Sequence, residues 1–299
     1  MEDLIGRLKA ANAQIERRDG LLGEEMLERR AATEMIPELA GRDLKGAQGD
    51  HGPMIEVGGQ TVDRFEFAQE TIVLRTGRPV LAVVGDEAQL VFSDPESSVW
   101  TSRLRDASAH LMSAARAVGR IEVEGHDLAW LGTGWLVRPD VVVTNRHVAA
   151  EFGRNDGTSF VFKQGMGGSQ MNASIDFLEE IGSTKERTFR LNRILHIEDS
   201  NGPDLAFVQV TPGREQALAA PIGLAAHSED NEMVAVIGYP ARDSRIPDQQ
   251  LMDEIFGNVY DKKRLAPGQL TGSDSTSVRH DCSTLGGNSG SVVLSLKTG

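Results

Sequence analysis

Residues 132–149 read GTGWLVRPDVVVTNRHVA, and this stretch decides the fold. Residues 130–137 and 141–144 are apolar runs parted by a turn, and the second ends at Thr144-Asn145-Arg146-His147. A strand that stops there gives the His147 ring a rigid support. Outward from this pair the pattern persists. Residues 121–123, 160–162, 191–197, 205–210, 233–238 and 292–296 are short runs of Val, Ile, Leu and Phe, separated by Gly, Asp, Asn and Pro. Short strands punctuated in this way predict an antiparallel barrel or sandwich. No period of 20–50 residues repeats, which excludes a solenoid.

The first 118 residues follow another pattern. Residues 1–38 are rich in Ala, Leu, Glu and Arg, with Leu4, Leu8, Ala11, Ile15 and Leu22 mostly on one helical face. Residues 41–59 are Gly-rich and polar and read as a loop or linker. Residues 64–76 read as helical and stop at Gly77, and PVLAVV at 79–84 reads as a short buried strand. Asp94-Pro95 is an N-cap followed by a first-turn proline, ahead of Trp100, Leu104, Ala107, Leu111, Ala115 and Val118 at helical spacing. These features predict a small, helix-rich α+β module over 1–118, followed by a β-rich domain over 119–299. Two domains also fit a length of 299 residues at about 150 per domain.

The formal net charge of −13 argues against binding nucleic acid or anionic lipid through this segment. A single cysteine, Cys282, excludes an intrachain disulfide and a multi-thiolate zinc site. The N-terminus lacks the apolar core of a signal peptide, and no apolar run reaches the ~20 residues of a membrane helix. A cytoplasmic protein without membrane contact is the expectation.

Three strings in the β-rich half carry chemistry. The first ends at His147. The second, NGPDLAFVQV at 201–210, places Asp204 at the head of a strand. The third, TLGGNSGSVV at 284–293, places Ser289 in a Gly-rich turn leading into a strand. A serine hydroxyl needs a base to become a nucleophile, and an imidazole titrates near neutrality. A carboxylate on the other ring nitrogen fixes the tautomer and stabilises the imidazolium. Glycine before the serine lets the Gly287 and Ser289 N–H groups converge on an oxyanion, worth ~10²–10³ in rate per donor. Taken singly, a histidine, a turn Asp or a Gly-Ser turn is ordinary. The three together, in the order His, Asp, Ser, are not.

TNRHV, DLAFVQV, VIGYP at 236–240 and GGNSGS resemble the blocks of the trypsin-like serine peptidases of the two-barrel chymotrypsin fold. The resemblance covers 119–299. It implies a catalytic triad of His147, Asp204 and Ser289, an oxyanion hole at Gly287 and Ser289, a polypeptide substrate and no cofactor or metal. Asn288 stands where trypsins carry an Asp that pairs with a new N-terminal ammonium, so activation by trimming is not expected. TLGGNSGS looks most like the glutamyl endopeptidase branch, where Thr284 would line the pocket for an acidic P1 side chain. Ser283 stands where trypsins carry a pocket Asp, which disfavours cleavage after Lys or Arg. His280 reads as a surface residue.

Ten residues follow Ser289, whereas the family implies two further strands there. The second barrel is therefore expected to be incomplete, in an N-terminal fragment of a longer protein with a further C-terminal domain and a protein partner for the N-terminal module. The alternative is an inactive protease fold serving as a binding scaffold. An α/β-hydrolase esterase fits poorly, because that fold orders its triad Ser, Asp, His. GMGG at 165–168 lacks the end of a phosphate loop and reads as a hairpin loop. Residues 253–263 read as an exposed excursion.

Overall fold

The computed structural model describes residues 54–57, 60–63, 77–213, 216–244, 246, 248–273 and 278–299. The chain begins with β1 (Met54–Val57), β2 (Gln60–Asp63), β3 (Leu81–Val84), β4 (Glu87–Ala88), α1 (Trp100–Asp106) and α2 (Ser108–Ala117). There follow β5 (Val118–Glu124), β6 (Trp130–Arg138), β7 (Val141–Thr144), α3 (Arg146–Phe152), β8 (Gly153–Asn155) and β9 (Phe160–Phe162). Next come β10 (Asn172–Asp176), β11 (Thr188–Ile197), β12 (Ala206–Val210), β13 (Met233–Gly238) and β14 (Arg242–Asp243). The remainder is α4 (Gln249–Phe256), β15 (Arg264–Ser273), β16 (Val278–His280) and β17 (Val292–Ser295).

Six antiparallel strands close into a barrel in the order β10-β11-β12-β7-β6-β5. Closure leaves no strand edge, and β7 at its centre is buried at every residue. The second sheet is open, in the order β17-β13-β15-β3-β4 with β16 paired to β15. The molecule is thus mainly β, with one complete barrel and one half-built one, as the resemblance implies.

Several segments depart from their sequence reading. The helical readings of 1–38 and 64–76 lie outside the described residues. Part of the stretch read as a linker, MIEV, is strand β1, which pairs with β2 and β14. Its short hydrophobic run was hidden by the surrounding glycines and polar residues. The helical run after Pro95 is two helices meeting at Ala107. The Asp94 carboxylate does cap that run, accepting from the Glu96 N–H at 3.0 Å. The hairpin at 165–168 stands, closed by pairing of Gln164 with Gln170.

Strand β3 does not belong to a separate module. It pairs with β15 through Leu81 and Ala82, inside the second sheet. Leu81, Trp100, Leu104 and Leu111 share one core with Ile121, Tyr239 and Leu294. The boundary near 118 therefore marks a change of sequence period, with continuous packing across it. The stretch 253–263 is likewise not an exposed excursion: Phe256 and Lys263 are fully buried.

Lys263 is the buried charge that joins these parts. Its ammonium donates to the carbonyls of Ala115 and Phe177, both at 2.7 Å. Glu180 lies 3.8 Å and Asp86 4.0 Å away. Glu180 in turn accepts from the Gly85 and Asp86 N–H groups, and Arg187 pairs with Asp86 at 2.9 Å. One cation thus ties the β3–β4 turn, the end of α2, the first barrel and β15. Burial drives its pKa down from 10.5 to about 8, against the pull of Glu180 and Asp86.

Between those two values the unfolded chain keeps a proton that the folded chain has released. The contribution of Lys263 to stability therefore rises as pH climbs from about 8 to 10.5. Lys263→Met leaves two carbonyls and the Glu180 carboxylate without their cation, and is expected to cost about 3–5 kcal/mol at neutral pH. Chemical denaturation followed by circular dichroism should show that loss, and the variant should lack the alkaline gain. An unchanged midpoint would remove Lys263 from this role.

Candidate active site

The site is assembled on β6 and β7. Thr144 ends β7, Asn145 has extended backbone, and Arg146 opens α3, so His147 lies in the first helical turn. The sequence reading put His147 just past a strand end and did not foresee this helix. His147 is 6% exposed.

Asp204 lies in the short loop between β11 and β12. The pairing of Ala206 with Thr144 sets β12 beside β7, which brings Asp204 to the start of α3. Its Oδ2 lies 2.6 Å from His147 Nδ1, and its Oδ1 accepts from the His147 backbone N–H at 3.0 Å. The Asn145 side-chain amide donates to Oδ2 at 2.7 Å. Arg146 pins the approaching loop through the carbonyls of Asp199 and Gly202, at 2.9 and 2.8 Å. Burial raises the Asp204 pKa, but the bonds from His147 and Asn145 outweigh it and hold the carboxyl at about 2. Asp204 is therefore an anion at any ordinary pH, and an anion facing Nδ1 favours the tautomer with the proton there.

The turn that carries Ser289 approaches β6 from the second sheet. Its carbonyl accepts from the Thr133 N–H at 2.8 Å, and the Gly287 carbonyl accepts from Thr133 Oγ1 at 2.9 Å. Thr144 Oγ1 donates to the Thr133 carbonyl at 2.7 Å. Gly287 and Gly290 both have φ of +84°, the left-handed region open to glycine. A Cβ on Gly290 would also lie 2.2 Å from the Thr133 carbonyl oxygen. Gly132 measures how close the turn and α3 come. A Cβ there would lie 2.9 Å from the Ser289 carbonyl and 2.9 Å from Cγ2 of Val148, the neighbour of His147. Gly132 is thus flanked by the Ser289 carbonyl and by Val148, while His147 and Asp204 are joined directly.

The expected pocket residues lie just before the turn. Ser283 and Thr284 are buried, and Ser283 Oγ donates to the Arg78 carbonyl at 2.8 Å. Arg78 therefore borders this region, its guanidinium ion-paired with Asp281 and 5.6 Å from the Trp100 ring. Sequence reasoning missed Arg78, because only the pairing of β3 with β15 brings it here. The space bounded by Val80, Pro240, Arg264, Ser283 and Asn288 has no room for a water molecule. His280 is not a surface residue. It is half-buried in β16, and burial holds its pKa below the usual imidazole range, partly offset by Asp281.

Ser289 is 0% exposed, so the site is closed. A cleft of about 480 Å³ lies beside β17, lined by Ile222, Leu224, His227 and Val293 among others, and includes neither His147 nor Ser289. Cys282 is buried, which pushes its thiol up to about 12 and leaves it protonated at neutral pH. Glu122, Asp176 and Glu179 bring carboxylate oxygens within 4.8 Å of one another. Arg120 binds Glu122 and Glu179, and Lys262 binds Glu179, so two of the three carboxylates already have cationic partners. Among the described residues no helix is long and apolar enough to cross a membrane.

The family model of the trypsin-like peptidase domain matches residues 132–299, more than half of the chain. A probable serine protease of Lysobacter enzymogenes is 30% identical over 260 residues, covering 76% of this chain and 66% of that protein. The chain thus spans about two thirds of that relative's length. Among solved structures, Deg5 aligns with a TM-score of 0.43 at 16% identity, over 70% of this chain and 84% of that one. The serine endoprotease from Yersinia pestis gives 0.38 at 16% identity, over 70% and 55%. On the strength of the family match, this chain belongs to the trypsin-like serine peptidases.

Proposed function

We propose that the chain is a serine endopeptidase domain in which Ser289, His147 and Asp204 act as a catalytic triad. The observation that carries this reading is the 2.6 Å contact between His147 Nδ1 and Asp204, supported by the bond from Thr133 to the Ser289 carbonyl. Ser289 Oγ attacks the scissile carbonyl while its proton passes to His147 Nε2. Asp204 stabilises the imidazolium that results. The N–H groups of Gly287 and Ser289 receive the developing oxyanion. His147 then protonates the leaving amine as the C–N bond breaks. Water attacks the acyl-enzyme with His147 again as base, restoring the serine.

The P1 preference we infer is acidic. Ser283 offers no carboxylate to a basic side chain, and Thr284 supplies a hydroxyl of the kind an acidic one uses. The enclosure of Ser289 adds a condition: the site opens before a substrate is acylated. That same enclosure favours the second reading, an inactive protease fold used as a binding scaffold.

A peptide library digested by the natural full-length protein should separate the two readings. Cleavage after Glu is expected, and it should vanish in Ser289→Ala. Asp204→Asn should lower kcat by about 10⁴ through the wrong imidazole tautomer. Hydrolysis that survives Ser289→Ala would exclude the triad, and no hydrolysis by the wild type would favour the scaffold.

A second variant tests the placement of the turn. Gly132→Ala forces the Ser289 carbonyl and Val148 apart by several tenths of an ångström. A shift of that order at the reacting atoms is expected to cost up to about 10²-fold in kcat, with the fold retained by circular dichroism. Wild-type kcat in this variant would show that the turn and α3 do not need their present separation.

A further inference from the structure

Asn145 stands at the N-cap of α3 with extended backbone, φ −70° and ψ 149°. An asparagine there ordinarily turns its side-chain oxygen back to accept a helix N–H. Asn145 makes no such capping bond. It turns outward, and its Nδ2 donates to Asp204 Oδ2 at 2.7 Å. An ionised carboxylate only accepts hydrogen bonds, so the atom facing it is the NH₂ and the orientation of the amide is fixed. The cap falls to Asp204 instead, whose Oδ1 takes the second N–H of the helix, that of His147, at 3.0 Å.

The grip on Asp204 thus comes from consecutive residues. Oδ2 receives the Asn145 amide and the His147 ring, Oδ1 receives the His147 N–H, and Arg146 Nε lies 3.9 Å from Oδ1. A carboxylate with donors on both oxygens cannot rotate about its terminal bond without breaking one of them. We propose that Asn145 is a positioning residue. Its amide locks the Asp204 carboxylate in the plane that keeps the proton of His147 on Nδ1 and aims Nε2 at the Ser289 turn. This inference deepens the peptidase reading and rests on it. The lock itself uses side chains of the first barrel alone.

The test compares Asn145→Ala with the isosteric Asn145→Asp. The first removes the donor, and the second keeps the shape but sets a carboxylate against Asp204. Two readouts are needed. In ¹⁵N-edited spectra the wild type should show a low-field, slowly exchanging His147 Nδ1 proton, which both variants lose or broaden. In hydrolysis assays on the natural full-length protein, Asn145→Ala should lower kcat about 10- to 100-fold at nearly constant KM. Asn145→Asp should be worse and should move the acid limb of its pH profile upward, because two facing carboxylates hold a proton more tightly.

A purely structural role for Asn145 would leave the isosteric variant close to wild type, and that result would overturn the proposal. So would an unchanged His147 proton signal in both variants. Should the wild type hydrolyse nothing, the peptidase reading fails while the spectra still decide the lock. Should the wild type hydrolyse and both variants match it, the lock fails and the peptidase reading stands.

Discussion

Thr133 is the residue on which the site depends. It is fully buried in β6, and its N–H and hydroxyl both bond to the second half of the molecule. Its N–H binds the Ser289 carbonyl, its hydroxyl binds the Gly287 carbonyl, and its own carbonyl takes the Thr144 hydroxyl. The Tyr239 N–H also reaches Thr133 Oγ1, at 3.2 Å. A single position in the first barrel thereby sets the distance from the serine turn to the helix that begins two residues after Thr144. Buried bonds of this kind contribute only about 1 kcal/mol each, but breaking one strands a polar group in the core.

The two halves of the molecule differ in how far they complete themselves. The first barrel closes on itself and carries both His147 and Asp204, so that half of the site rests on a rigid frame. The second sheet carries Ser289 on a turn between β16 and β17, and among the described residues β17 pairs with β13 alone. The serine is therefore held less by its own sheet than by Thr133. The N-terminal segment acts as a brace on the outside. Through Arg78, Leu81 and the contacts of Lys263 and Arg264 it packs against the elements that support the turn. The Arg264 guanidinium donates to the carbonyls of Val80, Leu81, Phe256 and Val259, joining β3 to α4 without a carboxylate partner.

Much of this was readable from the chain alone. Strands β7, β9 and β13 fall where the apolar runs begin and end; β7 and β13 show as continuous hydrophobic stretches because they are buried on both faces. The His, Asp and Ser strings were visible because each carries its own local signal. Strand β15, RLAPGQLTGS, was not, since Pro267, Gly268 and Gly272 read as breakers. Gly268 is needed there because a Cβ would strike Asp281 and Cys282. Lys263 falls in the stretch read as an exposed excursion, and only the folded chain shows the carbonyls that receive it. The role of β3 and Arg78 depends on pairing across nearly two hundred residues, which no local pattern encodes. The outward turn of Asn145 is a side-chain choice, invisible to composition and spacing alike.

The claim at the centre is that Ser289 is the nucleophile, activated by His147. The most direct measurement treats the natural full-length protein with a fluorophosphonate and maps the adduct by peptide mass spectrometry. The account requires one covalent modification, located on Ser289, that fails to form when His147 is replaced by Ala. An adduct on a different residue, or labelling of Ser289 that is indifferent to His147, would contradict it.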